Sequence, residues 1–138
     1  TIIINKSWQA NDQNFKATKT KTSIRIIDLP PDFMKSVQKW TFGKIYAFES
    51  ITGLPPTNAA VNKQLKRYLK KNDSKLITFH GLRHTHASFL LSQDIAIQYV
   101  SERLGHADVN ITLSTYAHLL DKKRTLETNK TLNALSNL

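Results

Sequence analysis

The sequence predicts an α+β fold, mostly helical, with an antiparallel β-hairpin or small sheet at its N-terminal end. β-Branched runs are concentrated before Pro31, where "TIIINKSW" and "SIRIIDLP" flank a polar, turn-forming segment. After Pro31, apolar residues recur at helical spacing in successive stretches, separated by Gly, Pro or capping residues. A length of 138 residues with 40% hydrophobic content suits a single domain, 1–138, around one core.

A strand is predicted over 2–8 and a second from Ile24 to Leu29, stopped by Pro30 and Pro31. Asn11, Asp12 and Asn14 favour turns, so the two strands form a hairpin with a long connection. Asp32 is a candidate N-cap for a helix carrying Phe33, Met34, Val37 and Trp40. Residues 41–56 read as an irregular connector punctuated by Gly43, Gly53, Pro55 and Pro56. A helix from Thr57 or Asn58 to Lys71 sets Val61, Leu65, Tyr68 and Leu69 on one stripe, with Lys63, Lys66, Arg67, Lys70 and Lys71 on other faces. The next runs from about His80 to Leu91. A cap at Ser92 or Asp94 then opens a helix containing Ile97, Val100 and Leu104, closed by Gly105. Asn110 caps a last helix over "ITLSTYAHLL". The tail, 121–138, is polar with Leu126, Leu132, Leu135 and Leu138, enough for a short helix but not for a core of its own.

Twenty Lys and Arg against ten Asp and Glu leave a formal charge of +10. Such self-repulsion is best relieved by a polyanion, which points to nucleic acid as partner. The absence of cysteine excludes disulfides and thiolate metal sites. No apolar run approaches the roughly 18 residues that span a bilayer, and "TIIINKSW" lacks the layout of a signal peptide. A start without Met, straight into a β-branched run, is expected of a chain cut from something larger.

"TFHGLRHTHASFLL", 78–91, crowds three histidines and an arginine together. A metal site does not follow: His80 and His84 share a helical face, but His86 points away and no carboxylate or cysteine completes a set. The roles of His84 and His86 stay open on spacing alone. His80 and Arg83, at i and i+3, can offer a phosphate an imidazole and a guanidinium fork together. His106 follows the turn at Gly105, and Tyr116 comes ten residues later, between Thr115 and Ala117, small neighbours that leave its hydroxyl accessible. A tyrosine there is commonly a core-edge packer, yet a phenol can attack phosphorus if cations stabilise the transition state. Lys19 and Lys21 stand at or near the hairpin turn and can reach a DNA groove, although hairpin lysines often only blunt a strand edge. Asn58, Asn62 and Lys66 form a row on the basic helix, beside Lys63 and Arg67. Asn can pair with adenine and Lys with guanine or phosphate; a solvated or phosphate-contacting face accounts for them equally.

Taken together, "KTKTSIRIIDLP", "HGLRHTHASFLL" and "LGHADVNITLSTYAHL" resemble the β-hairpin lysine, the H-x-x-R segment and the L-G-H…Y segment of the tyrosine recombinases, the integrases of phages and conjugative transposons. The resemblance covers nearly the whole chain and implies an integrase-type catalytic domain. It gives Tyr116 the attack on the scissile phosphodiester, leaving a 3′-phosphotyrosyl link and a 5′-hydroxyl. Arg83 binds a non-bridging oxygen, His80 assists proton transfer and His106 donates a hydrogen bond to the phosphate. Lys21 protonates the leaving oxygen, with Lys19 in reserve because the hairpin register is open. Bond energy is conserved, so neither ATP, metal nor other cofactor is implied. The implied partners are double-stranded DNA attachment sites and three further copies in a homotetramer, in the bacterial cytoplasm and away from membranes. The basic helix resembles the element that lies in the major groove, and the tail, 121–138, one that packs on a neighbouring protomer. One departure stands out: the family has a further arginine in a helix before the sheet, and Arg25 and Arg67 are both in the wrong place to supply it. The chain alone is therefore expected to be impaired. A type IB topoisomerase-like enzyme and a non-catalytic DNA-binding relative are the alternatives.

Overall fold

The computed structural model describes residues 1–18 and 20–137, with side chains at 1–18, 20–119, 124 and 127–137. Lys19 lies outside the described residues.

The N-terminal β-structure is two short antiparallel pairs. Strand β1 (Ile2–Ile4) pairs with β4 (Arg25–Ile27), setting Ile2 opposite Ile27 and Ile4 opposite Arg25. Strand β2 (Lys6–Gln9) pairs with β3 (Asn14–Ala17), setting Trp8 opposite Phe15. The expected strand 2–8 is thus broken at Asn5, and part of the expected long connection is itself a strand. Asn14, read as a turn former, opens β3; the turn lies just before it, with Gln13 at φ 45°. Aromatic contacts explain the extra pair: the Trp8 and Phe15 rings meet edge-on at 5.2 Å, and Tyr46 packs on both.

Helix α1 (Pro31–Val37) opens with Pro30 at the N-cap and Pro31 at the first helical position, where a missing N–H costs nothing. Asp32 is inside the first turn rather than the cap, and the helix ends before Trp40. Trp40 instead packs with Phe33, Phe42 and Phe48 in an aromatic cluster. The following connector is irregular as expected, and the Glu49 carboxylate gathers the backbone N–H groups of Lys44, Ile45 and Tyr46.

Two threonines cap the next helices. Thr57 accepts from the Ala60 N–H at the start of α2 (Asn58–Lys71), and Thr78 from the Gly81 N–H at the start of α3 (Phe79–Ser92). Helix α4 (Ile97–Leu104) follows Ala96 without a side-chain cap; Ser92 closes α3, and Asp94 turns the chain at φ 60°. Gly105 ends α4 in the left-handed region, its N–H bonded to the Ser101 and Glu102 carbonyls. Asp108, not Asn110, caps α5 (Val109–Ser136), its carboxylate accepting the Asn110 N–H. The expected last helix and the tail are one continuous helix, since 109–136 contains neither Gly nor Pro.

Helices α3, α4 and α5 pack together, β4 lies on α4, and α2 leans on α3. Their junction buries Ala87, Leu91, Val100, Leu104 and Tyr116, with Leu90, Ile97 and Leu119 packed around them. Among the described residues no helix is long and apolar enough to cross a membrane.

Candidate active site

Helix α3 has Thr78 as its cap, so its first turns carry His80, Arg83 and His84 on one face. The Gly105 turn then delivers His106, and α5 presents Ile111, Thr115 and Tyr116 from the opposite side. These seven residues line a cavity of about 340 Å³. His80, Arg83, His106 and Tyr116, which the spacing singles out, thus meet in one place.

Tyr116 is more enclosed than its small neighbours suggest: it is only 3% exposed, and its ring belongs to the core. Its hydroxyl is hydrogen bonded to His84 Nδ1 at 2.9 Å. Burial pushes the phenol above its ordinary range, and the Arg83 guanidinium acts against that shift. His106 Nδ1 is bonded to Oγ1 of the fully buried Thr112 at 2.7 Å, which fixes the ring and leaves Nε2 for the cavity. Burial, then the cations Arg83 and Arg25, and then His84, hold the His106 pKa below the usual imidazole value. That shift favours the neutral ring.

Arg25 approaches the cavity without lining it. It lies on β4 yet reaches across Gly105, donating from Nε to the Arg103 carbonyl at 2.9 Å and from Nη1 to the Ser23 carbonyl at 3.0 Å. Burial and then Arg83 lower its pKa, which places its charge beside the cavity. A Cβ on Gly105 would stand 2.6 Å from Arg25 Nη1, at a backbone φ of +75°. Gly105→Ala is accordingly expected to cost about 1–2 kcal/mol for the left-handed conformation alone, plus the displaced guanidinium. Gly53, at φ +74°, has nothing within 4 Å of such a Cβ and serves as control. Urea unfolding of both alanine variants checks this: Gly105→Ala loses more stability than Gly53→Ala.

The other expected residues divide. Lys21 sits exposed in a 3₁₀ turn, Lys21–Ser23, between β3 and β4, and does not line the cavity. Asn58, Lys63, Lys66 and Arg67 are exposed on α2. Asn62 is not free to read a base: its Oδ1 accepts the Phe79 N–H and its Nδ2 donates to the Asn58 carbonyl, tying α2 to the start of α3. His86 turns away and accepts from Arg103 Nε at 3.1 Å, and burial, then Arg103, lower its pKa. Among the described residues no group of three or more His, Cys, Asp or Glu could hold a metal ion. Sequence reasoning missed His84 and Thr112 as partners of the cavity residues; the His80–His84 spacing of one turn was the available signal for the first.

The chain is similar to known proteins. The integrase of the element ICEBs1 from Bacillus subtilis strain 168 is 27% identical over 138 aligned residues, covering 89% of this chain and 38% of that protein. Transposase A of transposon Tn554 from Staphylococcus aureus is 36% identical over 97 residues, covering 70% of this chain and 24% of the relative. The chain therefore spans well under half the length of these relatives. The structure of the Tn1549 transposon integrase, solved with its circular intermediate DNA, superposes with a TM-score of 0.72 at 20% identity, over 94% of this chain and 49% of that one. That likeness establishes the fold. Residues 4–123, a span that holds every residue of the cavity, match the phage integrase family, and the chain belongs to that family.

Proposed function

We propose that this chain is the catalytic domain, 1–138, of a tyrosine recombinase that cuts and rejoins double-stranded DNA at attachment sites through a 3′-phosphotyrosyl intermediate. The observation that carries the reading is the convergence of Arg83, His80, His106 and Tyr116 on one cavity from two helices and a turn. Tyr116 is the nucleophile. Arg83 binds a non-bridging phosphate oxygen and offsets the charge that grows in the transition state. His106, held by Thr112, donates from Nε2 to the same phosphate, and His80 stands at its side. A hairpin lysine protonates the leaving 5′-oxygen; Lys21 is the candidate, with Lys19 in reserve. A 5′-hydroxyl of a second strand then displaces the tyrosine, so neither ATP nor metal enters. Of the arginines, Arg83 alone lines the cavity, and Arg25 gives two donors to backbone carbonyls. The isolated chain therefore cleaves slowly.

The exposed face of α2 is the groove-facing surface: Lys63, Lys66, Arg67, Lys70 and Lys71 stand there with no acidic residue between 57 and 71. Asn58 and Lys66 are placed for base edges and the rest for phosphates. In the assembled recombinase four copies share the DNA in the bacterial cytoplasm, and the stretch 121–138 packs on a neighbour. Phosphate contacts make affinity fall with salt, with a log–log slope of roughly −3.6 if the four phosphate-facing cations Lys63, Arg67, Lys70 and Lys71 all engage. Fluorescence anisotropy across a salt series checks this; a flat isotherm contradicts the assignment. Catalysis itself is tested on nicked duplexes carrying candidate attachment sites, where a denaturant-resistant protein–DNA adduct is expected.

A further inference from the structure

The geometry points to His84 as the general base that takes the Tyr116 proton when the phenolic oxygen attacks phosphorus, a role that rests on the phosphotyrosine reading above. Of the three imidazoles lining the cavity, His84 is the one hydrogen bonded to the nucleophile, at 2.9 Å. His106 has its Nδ1 bound to Thr112. His80 stands one helical turn before His84, its ring edge-on to the His84 ring at 5.0 Å between centroids. The groups that face His84 are thus His80 and Arg83 from its own helix, His106 from the turn and Tyr116 from α5.

Enclosure makes a base in contact necessary. With Tyr116 only 3% exposed, bulk water is poorly placed to receive its proton. Burial also keeps the phenol protonated at neutral pH, so the nucleophile arrives as O–H and must lose its proton during attack. In the forward step the Tyr116 O–H bond breaks and the oxygen–phosphorus bond forms. The proton passes to His84 Nδ1, the bond from phosphorus to the 5′-oxygen breaks, and a separate acid protonates that oxygen. In the return step the conjugate base of that separate acid takes the proton of the 5′-hydroxyl as it attacks phosphorus, the phosphorus–phenolic oxygen bond breaks, and the departing phenolate takes its proton back from His84. Nothing is consumed, as a reversible strand exchange requires.

Two measurements test this. Long-range ¹H–¹⁵N spectra of the free chain, assigned with His84→Gln, should show the His84 proton on Nε2 and Nδ1 accepting from Tyr116; a proton on Nδ1 overturns the proposal. Single-turnover adduct formation is then compared on ordinary nicked DNA and on DNA with a bridging sulfur at the scissile 5′-position, whose thiolate leaves without a proton. His84→Ala should slow both substrates by about 10²–10³-fold, with partial recovery in added imidazole. His84→Asn, which keeps an acceptor near the Nδ1 position but is no base, should remain slow. Near-normal rates for His84→Asn, or recovery of His84→Ala on the sulfur substrate alone, overturn the assignment. Wild-type adduct with unaffected His84 variants removes only this proposal. A wild type that binds both DNAs and forms no adduct removes the phosphotyrosine reading and the base with it.

Discussion

Tyr116→Phe is expected to abolish the covalent adduct on nicked duplexes while leaving DNA affinity nearly unchanged. The substitution removes one oxygen and keeps the ring that fills the junction of α3, α4 and α5. Its cost to stability is the hydrogen bond to His84, about 1 kcal/mol, too little to unfold a domain of ordinary stability. None of the α2 cations proposed to meet DNA lines the cavity that holds Tyr116, so equilibrium binding should not follow the loss of chemistry. Gel separation under denaturing conditions reads the adduct, and anisotropy reads affinity on the same samples. Equal loss of both would make Tyr116 a structural residue.

Arg83→Ala is the second large effect. A guanidinium that meets developing charge on phosphorus is comparable to an oxyanion donor, whose removal slows chemistry by about 10²–10³-fold. Arg83→Lys should recover only part of the rate, because an ammonium lacks the fork that spans two oxygens. The substitution has a second readout. Arg83 is the largest of the charges that depress the His106 pKa, after burial itself. Removing that cation favours the protonated ring, so the His106 titration moves up toward the usual imidazole range and does not move down. An NMR titration of His106 in the two proteins checks the direction; an unchanged His106 would place Arg83 outside the site.

The parts of this fold that were legible in the sequence are those written in local spacing. Apolar periodicity located α2 from Thr57 or Asn58 and α3 from about His80, and Gly105 marked the end of α4 because a left-handed turn there demands it. The H-x-x-R pair and the Gly–His turn likewise gave the cavity residues, since a helix face and a helix end fix where side chains go. What spacing could not show is contact across the chain. Strand β3 looks like loop because Asn14 and its neighbours are polar, and the pairing rests on Trp8, Phe15 and Tyr46 meeting from three segments. The tail looked too polar for a long helix, yet a continuous helix needs no core along its whole length once its first turns are packed. The reach of Arg25 was hidden for the same reason, because only the packing of β4 on α4 brings its guanidinium over Gly105. Asn62 shows the converse: its place in a row beside Lys66 was right, but α3 begins against it and takes its side chain.

The central claim is that Tyr116 becomes covalently joined to DNA. The most direct test is to digest the trapped adduct with protease and nuclease and to identify by mass spectrometry the residue that retains a phosphonucleotide. The account predicts a single linked peptide, with the phosphonucleotide on Tyr116. A link to any other residue, or tight binding with no link at all, would contradict it.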